Sequence, residues 1–491
     1  MLTDERRYTV KISIGTRAIS MSRLAQICGG ILCCIGGQND KDVQFESVCT
    51  DSRETDAGAL FIALGGERVD GHDYIDAALS AGGGCVLCER IPERISDRRC
   101  AAVVVEDSIK AVGELAKAYD RTINHKKVAV TGSVGKTTTK EFIAAVLAEK
   151  YRVHKTEGNY NSNIGLPLSI LSMKEDTEVS VLEMGMSGLG EIDYLSRLAE
   201  PDVAVITNIG SSHMEHLGSR ENICRAKLEI VNGLKAGGTL IVNGDEPMLF
   251  GYKKDGIDVL SVAIDNEKAD YRAQNIRIQD GYTVFDIATS VSKVTDIAIP
   301  VIGNHNVMAA LFAYAVAEKQ GIDSESATRG LCNFRQVGMR QNIYNIGGVR
   351  VIEDCYNASP ESMRAAISVL RQLHEGRRDS RMIALLGDMY ELGERSGEFH
   401  EQVGADFANA GGEVLFTFGP QADGIATGAV LHGVLPENVY RNSDIKNPSL
   451  SGEMLLHTLK DGDILLVKAS RGAAAERIIE YIKENKDRLS K

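Results

Sequence analysis

The 491-residue chain has no excess of positive charge: 55 Lys and Arg stand against 68 Asp and Glu, for a net charge of −13. That balance argues against nucleic acid or an anionic membrane as the main partner, while leaving room for a local basic pocket that holds phosphates. No apolar run approaches the ~20 residues that cross a bilayer. The first twenty residues carry charges throughout and lack the apolar core of a secretion signal. These absences predict a cytoplasmic protein with no membrane insertion. A disulfide framework is missing too, since ten cysteines are few for so long a chain. Cys85-Val86-Leu87-Cys88 lies in an apolar run with no second pair at zinc spacing, so its thiols read as small buried hydrophobes. Internal repeats and low-complexity tracts are absent as well. What is left is an ordinary globular composition, 43% hydrophobic and 25% charged, with length for about three domains that each have a core.

One stretch stands out. Val128-Ala129-Val130-Thr131 is an apolar strand running into Gly132-Ser133-Val134-Gly135, then Lys136, then Thr137, Thr138 and Thr139, which open a helix through Phe142, Ile143, Val146 and Leu147. Glycines let successive backbone N–H groups turn inward around a phosphate, and the helix start adds free N–H groups and a favourable dipole. In such a loop the lysine reaches the β/γ-phosphates and the following threonine offers its hydroxyl to Mg²⁺. The usual pattern G-x-x-x-x-G-K-[ST] has glycine where this chain has Val130, so the loop is the shorter T-G-x-x-G-K-T form.

Around this loop the chain alternates strands and helices, which predicts an α/β protein. In residues 1–124, Ala59 to Leu64, Cys85 to Leu87 and Ala102 to Val105 read as strands. Asp51-Ser52-Arg53 is a turn able to hold a diphosphate or a uracil edge, or simply a capped turn. Gly65 to Ile75 is a second loop leading into a helix, Leu115 to Tyr119 closes another, and Arg121 to Lys127 is polar enough for a linker. In residues 125–336, the loop Thr156 to Pro167 offers Asn159, Asn161 and Asn163 as uncharged donors and acceptors. Val179 to Gly185 is a buried strand ending in Glu183, and ligands of open α/β sheets bind at such strand ends. Val203 to Asn208 is another strand, and His213 follows shortly after it. A helix over Arg220 to Leu234 turns Ile223, Ala226, Ile230 and Leu234 inward, and Lys227 falls on the same face. A lysine there is costly unless paired or modified, although snorkelling to solvent is the plain alternative. Tyr252 to Ile299 suggests short strands, and Gly303-Asn304-His305-Asn306 caps a helix over Val307 to Gln320. In residues 337–491, three strand–helix units begin at Val349, Met382 and Asp463 and read as a second doubly wound sheet.

Taken together, these motifs resemble the Mur ligases over nearly the whole chain. The resemblance rests on Asp51-Ser52-Arg53 with Asp70-Gly71-His72-Asp73, the short phosphate loop and the Gly158 to Pro167 asparagine loop. It continues through Leu182-Glu183-Met184-Gly185 with Gly190-Glu191-Ile192, Thr207-Asn208-Ile209-Gly210 with His213, and Ala226-Lys227-Leu228-Glu229. Gly303-Asn304-His305-Asn306 follows. Tyr356-Asn357-Ala358-Ser359-Pro360 and Leu386-Gly387-Asp388-Met389 point to the branch of the family that adds D-Ala-D-Ala.

The resemblance implies a three-domain α/β protein: a small domain binding a UDP-muramoyl peptide, a central P-loop ATPase-like domain, and a Rossmann-like C-terminal domain that binds D-Ala-D-Ala and closes on ATP. It implies a cytoplasmic, monomeric ligase of peptidoglycan precursor synthesis that uses ATP and Mg²⁺ to join D-Ala-D-Ala to UDP-N-acetylmuramoyl-tripeptide through an acyl phosphate. By matching motifs, Gly132, Ser133, Val134, Gly135, Lys136, Thr137 and Thr138 would hold the ATP phosphates, with Asn306 at the adenine, Arg340 at the phosphates and Asp354 at the ribose. Thr137 and Glu183 would serve a first Mg²⁺, and His213 with Lys227, as a carbamate, a second. Ser52 and Arg53 would hold the uridine diphosphate, Asn159 and Asn161 the muramoyl peptide, and Tyr356 with Asn357 would complete the substrate site. Three positions depart from the family pattern, which has asparagine where this chain has Ser162, Ala309 and Ser359. The sibling ligase that adds the third amino acid is the nearest rival, but the Asp-Asn-Pro-Arg motif of its diaminopimelate version is absent. A GTPase would need an Asn-Lys-x-Asp base reader, also absent. A non-catalytic nucleotide-binding module would leave Glu183, His213 and Lys227 as accidents.

Overall fold

The computed structural model describes residues 11–14, 18–35, 43–66, 69–92, 100–375, 377 and 380–489, and in it the chain forms three large mixed sheets flanked by helices. Glu67 and Arg68 of the second N-terminal loop lie outside the described residues.

The first sheet runs in the order Lys11–Ser13, Ser47–Cys49, Ala59–Ile62, Cys85–Cys88, Cys100–Val104, Ile31–Ile35. Its four inner strands are mutually parallel and its two edge strands antiparallel. Cys85-Val86-Leu87-Cys88 is a fully buried strand whose two cysteines are in no disulfide, and burial pushes the Cys88 thiol up to about 12. A thiol so hard to ionise suits packing rather than metal or redox chemistry.

The second sheet has nine strands, and its order places the phosphate loop. Val153–Lys155, Val179–Glu183, Lys126–Thr131, Val203–Ile206, Thr239–Asn243, Asp258–Ala263 and Tyr271–Gln279 lie side by side in parallel. Tyr282–Thr289 and Lys293–Ile299 then add antiparallel strands of eight and seven residues, longer than the short strands expected there. Valine-rich runs form the central strands because both faces are covered. The strand carrying the loop lies between Val179–Glu183, which comes later in the chain on one side, and Val203–Ile206 on the other. The chain order reverses at that point, which opens a crevice at the strand ends. In register, Glu183 stands opposite Val130 and Ile206 opposite Thr131.

The third sheet runs Asn342–Ile346, Val349–Glu353, Ile464–Lys468, Met382–Gly387, Val414–Phe418, Val439–Asn442, parallel except at the first pair.

Three expectations need adjustment. The segment Arg121 to Lys127 is a linker only as far as His125. Lys126 and Lys127 begin the loop strand, the buried Lys127 pairs with Asp120, and its N–H donates to Asp202 Oδ2 at 2.8 Å. Polar composition suggested solvent, but these charges are partnered. The first domain keeps one core to itself, where Phe61, Ile75, Val86 and Ala102 pack together, but shares the other. The helix Ser108–Asp120 packs into one apolar cluster with Gly165–Leu171 and Glu191–Ala199 of the central domain, and Tyr119 Oη donates to Met173 O at 2.6 Å. The other face of the central sheet packs against Lys136–Leu147 and Asn304–Lys319, where Phe142 stacks on Phe334 at 3.6 Å. The helix expected to reach Leu234 ends at Leu228 and tightens into a 3₁₀ turn, Glu229–Asn232, where the chain passes close to Ser196.

Candidate active site

The phosphate loop is braced from the neighbouring strand end. Gly132 has φ +149°, and a Cβ there would run into Thr207 Oγ1; Gly135, at φ +84°, starts the helix Lys136–Leu147. Asn208 Oδ1 accepts from the N–H groups of Ser133 (3.1 Å) and Val134 (2.9 Å). Thr207 Oγ1 donates to Val134 O at 2.6 Å, and Ser133 Oγ accepts from Gly210 N–H at 2.9 Å. Two of the amides expected at a phosphate are therefore taken by Asn208. No side chain caps the helix start, which leaves its first N–H groups for an anion. Lys136 folds back, its Nζ donating to Gly132 O at 2.8 Å, and burial lowers its pKa while Glu183 opposes that shift.

Glu183 ends its strand 2% exposed. Its Oε1 accepts from Asn161 Nδ2 at 2.8 Å, whereas Oε2 has no hydrogen-bond partner among the described residues. The nearest cation to Oε2 is Lys140 Nζ, 3.8 Å away, on a side chain that is 1% exposed. Lys140 also donates to Thr156 O at 2.5 Å and lies 3.2 Å from Glu141 Oε1. Sequence reasoning missed Lys140, although a lysine on the buried face of the loop helix was a legible signal. Asn159 is half-buried beside Asn161, whose N–H donates to its carbonyl at 2.7 Å.

Lys227 is 1% exposed on the helix Arg220–Leu228. Burial first, and then the Lys136 cation, push its pKa well below the ordinary lysine range; no carboxylate is among the groups acting on it. Burial disfavours the charged form of its amine and rules out snorkelling. His213 takes φ +63° and places Nδ1 2.7 Å from Glu391 Oε2, off the line of an ideal hydrogen bond. Among the described residues no three His, Cys, Asp or Glu side chains converge as a ready-made metal cage. The donors still fit Mg²⁺, which favours oxygen and keeps positions for phosphates and water: the Glu183 oxygen is unpartnered and Thr137 offers a hydroxyl.

The third domain reaches across. Arg340 Nη2 donates to Thr137 Oγ1 at 3.0 Å while its guanidinium lies 3.9 Å over the Tyr356 ring. Glu361 Oε1 accepts from Ser211 N–H at 2.9 Å and from Ser211 Oγ at 2.7 Å. Asn306, 1% exposed, donates through Nδ2 to Ile302 O and Gln341 Oε1, both at 2.9 Å, and its buried Oδ1 has no hydrogen-bond partner among the described residues. Asp354 Oδ2 lies 2.6 Å from Lys468 Nζ, which also donates to Asn357 O at 2.9 Å; Asn357 Oδ1 accepts from Ala358 N–H at 2.9 Å.

Three sequence models of one family match in order: "Mur ligase family, catalytic domain" over residues 44–129, "Mur ligase middle domain" over 130–317, and "Mur ligase, glutamate ligase domain" over 339–471. A curated relative from Bacillus subtilis (strain 168), UDP-N-acetylmuramoyl-tripeptide--D-alanyl-D-alanine ligase, is 43% identical across 89% of this chain and 93% of its own length. The chain belongs to the Mur ligase family. Among solved structures, MurF from Acinetobacter baumannii superimposes with a TM-score of 0.85 at 28% identity, covering 95% of this chain and 99% of that one. MurF ligase from Thermotoga maritima, in complex with ADP, gives 0.79 at 32% identity over 90% and 97%. The fold is the three-domain α/β architecture of the Mur ligases.

Within this Mur ligase the expected residues do not all converge. The phosphate loop and Glu183 share one crevice of the second domain, Lys227 lies close enough for Lys136 to act on its charge, and Arg340 joins them from the third. His213 faces the third domain instead, through Glu391. Ser52 is half-buried and the exposed Arg53 is held by Asp51, with Nε 2.9 Å from Oδ1 and Nη2 2.5 Å from Oδ2, in the turn after the strand Ser47–Cys49 of the first sheet rather than at the loop. The three departures have local roles. Ser162 Oγ accepts from Gly165 N–H at 3.2 Å, Ser359 caps the helix Pro360–His374, and Ala309 is buried in the central core.

Proposed function

We infer that this Mur ligase joins D-alanyl-D-alanine to UDP-N-acetylmuramoyl-tripeptide, forming an amide bond as ATP becomes ADP and phosphate. The observation that carries the reading is the crevice where the phosphate loop, the unpartnered Glu183 oxygen and Arg340 from the third domain meet. The name of the Bacillus subtilis relative supplies the substrates, and the ADP in the Thermotoga maritima structure supports the nucleotide. Condensing a carboxylate with an amine in water is uphill, so the carboxylate must first be activated. Its oxygen attacks the γ-phosphorus of ATP, giving an acyl phosphate and ADP. The dipeptide amine then attacks the carbonyl carbon, loses a proton and expels phosphate.

In this scheme Lys136 and the N–H groups opening its helix hold the β/γ-phosphates, and Arg340 supplies a second cation from the third domain. Mostly by positioning and electrostatics, these groups stabilise charge on the transferring phosphoryl group. Mg²⁺ held by Thr137, Glu183 and the phosphates would neutralise charge on the nucleotide. The buried Lys227 amine, whose charged form burial disfavours, would take carbon dioxide as a carbamate, which turns a position beside the Lys136 cation into an oxygen donor; with His213 it would serve a second Mg²⁺. Asn306 would meet the adenine. Asp354 would meet the ribose while Lys468 holds its carboxylate. Residues 1–124 would bind the UDP-muramoyl peptide through Ser52 and Arg53, with Asn159 and Asn161 at the peptide. Residues 125–336 would bind ATP, and 337–491 the dipeptide, with Tyr356 and Asn357 in that site. Among the described residues no helix is long and apolar enough to cross a membrane, which supports a cytoplasmic enzyme, and we take it to act as a monomer.

The test is ADP release with components omitted singly. It should require UDP-muramoyl tripeptide, Mg²⁺ and D-Ala-D-Ala together; equal release without the dipeptide would sink the ligase reading.

A further inference from the structure

Two residues other than glycine adopt left-handed backbone on opposite sides of the boundary between the second and third domains: His213 at φ +63° and Glu391 at φ +64°. Such conformations are disfavoured for a residue with a Cβ and persist where the surroundings hold them, which happens most at functional sites. Here the two side chains face each other, His213 Nδ1 lying 2.7 Å from Glu391 Oε2. Their main chains meet as well. Glu215 N–H donates to Glu391 O at 3.3 Å, and a Cβ on Gly393 would come within 3.2 Å of Glu215 Cα. The loop that delivers Glu391 is tied down at each step after the strand Met382–Gly387. Asp388 Oδ1 accepts from Ala422 N–H at 2.7 Å, Met389 N–H donates to His400 Nε2 at 3.0 Å, and Tyr390 N–H donates to Ser470 Oγ at 3.1 Å. Glu391 is thus presented by a fixed edge of the third domain to a histidine of the second.

From this geometry we propose that Glu391 is a positioning residue that orients the His213 imidazole across the domain boundary. His213 is then set for its work only while the third domain is seated on the second. The proposal rests on the reading of His213 as a ligand of the second Mg²⁺. Although the pair lies off the line of an ideal hydrogen bond, the negative charge 2.7 Å from Nδ1 favours the tautomer with its proton there and leaves Nε2 with a lone pair, the form that binds metal. The two halves of the metal machinery then differ: Glu183 and Thr137 come wholly from the second domain, whereas the His213 half is completed from outside. ATP and Mg²⁺ can be gathered at the first half, and the second is ready only when the dipeptide-binding domain has docked.

The experiment uses the full-length chain with Mn²⁺ and ADP as probes, read by electron paramagnetic resonance, together with steady-state kinetics of ligation. Glu391→Ala should weaken the weaker of the Mn²⁺ sites and lower kcat by about 10–100-fold, the usual cost of losing such an outer partner. The KM for ATP and the melting temperature should not change, and Glu391→Asp should restore part of the loss. In a His213→Ala background, Glu391→Ala should cost nothing further. An equal loss in that background, or wild-type Mn²⁺ binding by Glu391→Ala, overturns the inference. If His213→Ala is impaired and Glu391→Ala is not, the ligand reading stands and the inference falls. If His213→Ala binds Mn²⁺ and turns over like wild type, both fall.

Discussion

The two sides of the nucleotide crevice are built in different ways. On the side of the second domain, the functional groups sit at the ends of adjacent parallel strands, and sheet register places Glu183 opposite Val130 before any side chain interacts. On the side of the third domain, single side chains reach across: Arg340 to Thr137, Glu361 to Ser211 and Glu391 to His213. The first side is preorganised by backbone pairing and remains assembled whatever the third domain does. The second depends on docking. On the proposed function, for a ligase that must admit a large nucleotide-sugar peptide, ATP and a dipeptide, this division would keep phosphate binding constant and make chemistry wait for the third domain.

Substitutions on each side should therefore fail in different ways. The largest effect is expected at Lys227: replacement by Ala should reduce ligation to background in a coupled ADP assay, with no rescue by bicarbonate, because the amine that would carry the carbamate is gone. A fully active variant would remove the carbamate. On the docking side, Arg340→Ala removes a charge-assisted contact worth about 1.5–3 kcal/mol. It should appear as weaker ATP binding by calorimetry with the melting temperature retained; a loss of folding instead would mean that the two sides are not separable. Lys140→Ala touches the preorganised side and should do the reverse. It leaves Glu183 buried without its nearest cation, so urea unfolding should show a loss of about 3–5 kcal/mol. The smallest effect concerns His154, on the edge strand Val153–Lys155, where burial holds the imidazole down at about 4 from an ordinary 6.5. The unfolded chain binds a proton that the folded one refuses, so stability should be full above pH 6.5 and fall as pH drops from about 6.5 to about 4. Replacing His154 by Gln should flatten that part of the stability profile, and an unchanged profile would assign it to other groups.

The preorganised side was also the legible one. Strand ends are marked by apolar runs that stop at a polar residue, so Glu183 and the loop could be placed from the residues alone, and the inward spacing of Lys227 agrees with its burial. The docking side was much less legible. Nothing local to Glu361 or Glu391 says that it faces Ser211 or His213, because those pairings depend on how two separately formed sheets meet. Asn208 was quoted within a motif, yet its grip on Ser133 and Val134 follows from strand adjacency rather than from its own neighbourhood. The linker read over Arg121 to Lys127 ran two residues too far for a related reason: charge at Lys127 suggested solvent where Asp120 and Asp202 supply partners from other elements.

The central claim is that the carboxylate is activated as an acyl phosphate, and the fate of its oxygen tests this most directly. UDP-muramoyl tripeptide labelled with oxygen-18 in the reacting carboxylate, incubated with ATP, Mg²⁺ and D-Ala-D-Ala, should yield one labelled oxygen in the released phosphate for each amide bond formed. Phosphate without label, released in step with the amide product, would contradict the account.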